Sequence, residues 1–147
     1  MAHMTAPSRS GVAGFAHAGE AALRGALPIG GKPGWPLLVR AEMRARPGEP
    51  DGRADPRRYA PWLDSRPATA EQAAIDLLIE LCERTFARVH IVHLASADAL
   101  ASIGGARARR VPFTVETGPH HLTFAAEDVA GGGTALKWAP PNPGGEH

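Results

Sequence analysis

Residues 88–100 read RVHIVHLASADAL. The stretch 88–95 is apolar and rich in β-branched residues, the composition of a short strand buried in a parallel sheet. Ser96 follows as a helix cap, and a helix is expected over 97–109 with Leu100 and Ile103 facing inward. Gly104 and Gly105 weaken that helix by about 1 kcal/mol each relative to alanine. Side chains alternate along a strand, so Val89, Ile91 and His93 share one face while His90, Val92 and Leu94 share the other. His93 is then the last residue on its face before the loop.

The same alternation of elements continues on both sides of this stretch. Upstream, Thr69 and Gln72 have capping-box spacing, and Ile75, Leu78, Ile79, Cys82 and Phe86 form one apolar helical stripe. Before that helix, 35–41 (WPLLVRA) is an apolar run of strand length. Downstream, 111–117 (VPFTVET) is a third strand, followed by a partly helical stretch around 125–129. Strand, helix, strand, helix, strand is the pattern of right-handed βαβ units on a parallel sheet. The segment 20–27 reads as a short helix stopped by Pro28. Residues 1–19 read as an irregular segment, 20–141 as the α/β domain and 142–147 as a tail. The stretch 43–68, rich in Arg, Pro, Gly and Asp, reads as a long covering loop anchored by Tyr59, Trp62 and Leu63.

Composition narrows the function. Of 147 residues, 44% are hydrophobic, enough for a core. Lys and Arg total 16 against 15 Asp and Glu, and this near-neutral balance gives no basic excess for nucleic acid. No apolar run nears the ~20 residues of a membrane span, so no membrane partner is expected. One cysteine, Cys82, excludes an internal disulfide framework and points to a reducing, cytoplasmic setting. The length falls short of a complete (β/α)₈ barrel of roughly 250 residues. The expected fold is therefore α/β, about three parallel strands with flanking helices. Its exposed sheet edges favour a homo-oligomer or dependence on a partner.

Parallel α/β folds carry their chemistry at the carboxyl ends of the strands. Those ends hold Arg40 and Glu42, then His93, then Glu116, His120 and His121. A strand-end histidine is a metal ligand or a hydrogen-bonded structural residue, and one histidine alone does not decide between them. Glu42 and Glu116 could orient a histidine or pair with an arginine such as Arg40. Cys82, on the apolar stripe, reads as core.

At these strand ends the chain resembles the cyclic amidohydrolases. The resemblance runs through 36–42 (PLLVRAE), 59–71 (YAPWLDSRPATAE), 88–100, 115–124 (VETGPHHLTF) and 136–141 (LKWAPP), and it is greatest to the allantoinase branch. The resemblance implies an incomplete (β/α)₈ barrel of the metal-dependent type. In the family two divalent ions, usually zinc, are bridged by hydroxide and a carboxylated lysine and hydrolyse a cyclic amide C–N bond. The implied substrate is a small cyclic amide, allantoin, opened to allantoate in purine breakdown. Carried onto this chain, His93 is a metal ligand, and Arg40 replaces a second histidine ligand. The H-x-H pair, the lysine and the aspartate of the family have no counterpart. His120 and Pro140 fall in substrate-binding segments, and Glu42 and Glu116 stand behind the ligands. Gly118 takes a position that is usually cysteine in allantoinases.

An arginine has no lone pair to give a metal, and its fixed charge repels cations. The expectation is thus an allantoinase-like ancestry in a chain that alone does not bind the full metal set. The alternatives are a non-catalytic barrel piece or scaffold, a hydantoinase or dihydroorotase type, or a split enzyme completed by a second polypeptide.

Overall fold

The structure is a computed structural model and describes residues 3–5, 19–30, 36–43, 55, 57–129, 131 and 133–145. The strands are β1 (His3–Thr5), β2 (Leu37–Arg40), β3 (Val89–Val92) and β4 (Phe113–Val115). The helices are α1 (Glu20–Gly30), α2 (Ala60–Asp64), α3 (Ala68–Thr85) and α4 (Leu100–Ala108). The strands form one parallel sheet in the order β1-β2-β3-β4, with Leu38 opposite His90 and His90 opposite Thr114.

Burial alternates along β2 and β3. Leu37, Val39, Val89, Ile91 and Phe113 lie in the core with Leu23, Leu27, Ile75, Leu78, Cys82 and Ile103. Leu38, Arg40, His90 and Val92 are only half-buried. Helices α1, α3 and α4 thus cover one face of the sheet, as expected when strand order is sequential. The arrangement is a singly wound parallel α/β layer.

Several expectations need correction. The segment 1–19 was expected to be irregular, but His3–Thr5 adds a fourth strand. Three residues carry too little pattern to be read, and pairing with β2 supplies their hydrogen bonds. Residues 6–18, most of the long loop (44–54 and 56), Trp35 and Lys32 lie outside the described residues. Helix α1 continues through Pro28 to Gly30. Only one intrahelical bond is lost there, near the end where carbonyls already lack partners. Helix α3 starts one residue before Thr69, after Pro67 in extended conformation, so the Thr69–Gln72 box does not form. Gln72 bonds Asp76 and Ser102 instead. Phe86 leaves the apolar stripe because its backbone turns left-handed (φ 55°), ending α3 with its ring 81% exposed. Leu100 is also exposed, whereas Ile103 is buried as expected. Ser96 does cap the following turn, accepting from the Asp98 N–H at 3.2 Å.

The stretch 142–147 is not a free tail over its described part. Asn142 is fully buried, and its carbonyl accepts from the Tyr59 hydroxyl at 2.8 Å. Burial pushes that phenol up to about 12.

Candidate functional site

The carboxyl ends of β2, β3 and β4 bring together the residues singled out above. At the end of β2, Arg40 and Glu42 form an ion pair at 2.6 Å. Two residues apart on an extended chain, their side chains leave the same face. Arg66, from the turn before α3, approaches Glu42 on its other oxygen at 3.0 Å. Glu42 is only 7% exposed, so one buried carboxylate answers two guanidiniums. Burial lowers the pKa of Arg66, Glu42 opposes that shift, and Arg40 adds to it. Arg66 also stacks over Trp62 at 3.7 Å, and the Trp62 indole N–H donates to the Trp138 carbonyl at 3.0 Å. The segment 59–66 is thereby fixed against 136–142.

At the end of β3 the chain turns sharply. His93 has φ 63°, the left-handed region, which costs a non-glycine residue about 1 kcal/mol. The turn breaks the strand alternation, so Leu94 is buried while His93 is exposed. His93 therefore does not share the buried face of Val89 and Ile91, as simple alternation predicts. The backbone after it is fully engaged. The Leu94 N–H donates to the Glu116 carbonyl at 2.9 Å, and the Thr117 hydroxyl donates to the Leu94 carbonyl at 2.6 Å. Glu71, on α3, accepts from the Ala95 N–H at 3.0 Å and the Ser96 N–H at 2.8 Å. Burial raises the Glu71 carboxyl to about 7, against the lowering effect of those two hydrogen bonds and with a small push from Glu42.

Beyond β4, the 3₁₀ turn Pro119–Leu122 holds both histidines. The His120 ring stacks on Trp138 at 4.6 Å and lies tilted against His121 at 4.0 Å. Gly118 makes room for it, because a Cβ there would meet the His120 ring at 2.4 Å. Burial lowers the pKa of His121 to about 4, with further lowering from His120, a smaller opposing effect from Asn142 and a last, lowering effect from His93. Burial, then the charge of His93, also lowers the pKa of His120. Pro140 follows a cis bond and is buried beside Pro141 and Asn142. Glu116 lies 3.4 Å from His90, whose other ring nitrogen contacts the Thr114 hydroxyl at 2.8 Å.

The structure thus places His93 at the end of β3 and the adjacent His120 and His121 beyond β4, with Arg40 and Glu42 at the neighbouring strand end. It pairs Glu42 with arginine and Glu116 with His90. Glu71, Arg66 and Asn142 were not anticipated as site residues. Glu71 reads in sequence as an ordinary first-turn acid, and only the fold brings it to the β3 loop. A binuclear metal centre does not fit these residues. Arg40 offers only N–H donors and positive charge, and its partner carboxylate is already engaged. Among the described residues no three His, Cys, Asp or Glu side chains are grouped to hold a metal ion.

No family model matches the chain. Its fold is shared with solved hydantoinases. It superposes on L-hydantoinase (dihydropyrimidinase) from Arthrobacter aurescens with a TM-score of 0.81 at 21% identity, covering 98% of this chain and 32% of that one. D-hydantoinase from Bacillus sp. AR9 gives 0.79 at 21% identity, covering 97% and 31%. In sequence it is similar to curated allantoinases. It is 46% identical over 105 residues to the allantoinase of Streptomyces avermitilis, covering 71% of this chain and 23% of that protein. It is 36% identical over 137 residues to the allantoinase of Saccharomyces cerevisiae, covering 90% and 30%. The chain therefore spans about a quarter of the length of the curated relatives it matches.

Proposed function

We propose that this chain is part of an allantoinase-type cyclic amidohydrolase barrel, and that the polypeptide alone does not hydrolyse allantoin. The observation that carries this reading is the Arg40–Glu42 ion pair at the end of β2. Opening a hydantoin ring requires a water made nucleophilic near neutral pH and a polarised amide carbonyl, which metal ions supply in this family. Arg40 cannot ligate a metal, and its positive charge disfavours a cation beside His93. In this reading His93 keeps the place of a metal ligand and Glu42 and Glu116 stand behind the ligand positions. His120 and Pro140 line the side on which a small cyclic amide would lie. The half-buried sheet face and the strand edges favour a homo-oligomer or a partner chain in a reducing, cytoplasmic setting. The allantoinase names of the sequence relatives favour allantoin over hydantoins or dihydroorotate.

The test is an allantoin assay on the purified chain with added zinc or manganese, allantoate being measured directly and bound metal by elemental analysis. The expected result is no metal-dependent turnover and less than one tightly bound ion per chain. Turnover that requires a divalent metal overturns the reading.

A further inference from the structure

The start of α3 ties two strand ends together. Its Ala70 carbonyl accepts from the Met43 N–H at 3.1 Å, just beyond β2, and Arg66 reaches Glu42 there at 3.0 Å. One residue further on, Glu71 turns to β3. Its side chain is 6% exposed, and each carboxylate oxygen takes one N–H of the turn after His93. A carboxylate receiving two adjacent backbone N–H groups fixes the orientation of both peptide planes, whereas one bond fixes a distance and leaves a swivel. Those planes follow a left-handed residue, a conformation that persists only where its surroundings hold it. Leu94 is held by β4, through Glu116 and Thr117. Ala95 and Ser96 are held from the other side by Glu71 alone among the described side chains.

We propose that Glu71 is a positioning residue for His93: by clamping the Ala95 and Ser96 N–H groups it maintains the left-handed turn that sets the direction of the imidazole. The role rests on the reading above only in that the imidazole is there given a use. The clamp itself is a property of the fold. Glutamine at 71 keeps the shape but presents an N–H₂ to one of the two donors, so it loses one bond. Aspartate keeps the charge but is one methylene short.

The experiment is NMR on the full chain, with Glu71→Gln and Glu71→Asp beside the parent. In the parent, the Ala95 and Ser96 amides should exchange as slowly as those of β3, although neither lies in a strand or helix. In Glu71→Gln the amide left facing the new N–H₂ should exchange at least about tenfold faster, the size expected for losing one hydrogen bond. The His93 Cα shift should move away from its left-handed value and its ring signals should shift with it. The Leu78 and Leu81 amides, in the middle of α3, should be unchanged. Partial recovery of the His93 signals in Glu71→Asp supports positioning by the paired acceptor oxygens. Faster exchange with unmoved His93 signals overturns the proposal and leaves Glu71 a structural acid. If the variants do not fold, the parent decides: unprotected Ala95 and Ser96 amides overturn it. No readout uses turnover, so a failure of the proposed activity and a failure of this clamp remain distinguishable.

Discussion

Glu42 accepts charge from Arg40 at 2.6 Å and from Arg66 at 3.0 Å while itself nearly hidden from solvent. The balance of such a triad is uneven. Removing the carboxylate leaves two half-buried cations facing each other, whereas removing one arginine leaves an intact pair. Glu42→Gln should therefore lower unfolding stability by about 3 kcal/mol, and Arg40→Met by less than half of that. Urea unfolding of both variants measures the difference, and equal losses would show that Arg66 does not share the carboxylate. The same residues satisfy each other at this end of β2. An arginine and a glutamate two positions apart on a strand meet on one face, and no cation is needed to satisfy either.

At the scale of elements, α3 covers the sheet. Ile75, Leu78, Ile79 and Cys82 recur at helical spacing and are all at most 5% exposed, packed with Val89 and Ile91 of β3. Apolar burial of this kind contributes most of the fold's stability. Leu78→Ala should cost 2–5 kcal/mol (about the range for truncating a buried leucine), because the flanking strand and helix cannot collapse into the gap. Phe86→Ala, at the exposed left-handed end of the same helix, should cost under about 1 kcal/mol. Thermal unfolding of the pair checks this, and a large loss at Phe86 would place its ring in the core. The two positions look alike in a helical pattern. Their difference lies in where the helix stops, and a backbone in the left-handed region at residue 86 settles that.

Across the whole molecule, two buried groups titrate in opposite senses. The folded state holds Glu71 protonated up to about 7, above its ordinary 4.5. Its contribution is fully present below 4.5 and is lost as pH rises through 7. The folded state keeps His121 neutral down to about 4, below its ordinary 6.5, so its contribution is present above 6.5 and is lost as pH falls through 4. Over pH 4.5–6.5 the two nearly offset, and the parent's stability should be flat. Glu71→Gln removes one side of this balance. Its stability should fall from pH 6.5 to 4.5 by about 1 kcal/mol, the two-unit equivalent being reduced by solvent screening of the half-buried His121. Urea midpoints across that range give the slope, and a flat profile in Glu71→Gln would show that His121 is not held neutral by the fold. No helix among the described residues is long and apolar enough to cross a membrane.

The sequence by itself determined the parallel α/β order, because periods of two and of 3.6 residues are local properties of the chain. It also placed Arg40, Glu42, His93, Glu116 and the two adjacent histidines at strand ends, since strand ends follow from strand positions. Tertiary structure alone decided which of these groups meet. Glu71 and the N–H groups of Ala95 and Ser96 are separated by more than twenty residues, as are Arg66 and Glu42. Such contacts form only when α3 is laid across the ends of β2 and β3. The strand β1 and the burial of Asn142 were equally illegible, because three residues carry no period and a lone asparagine no packing signal. The left-handed turn at His93 belongs with them. Nothing in a histidine's side chain asks for that backbone, and only the hydrogen bonds arriving from α3 and β4 hold it there.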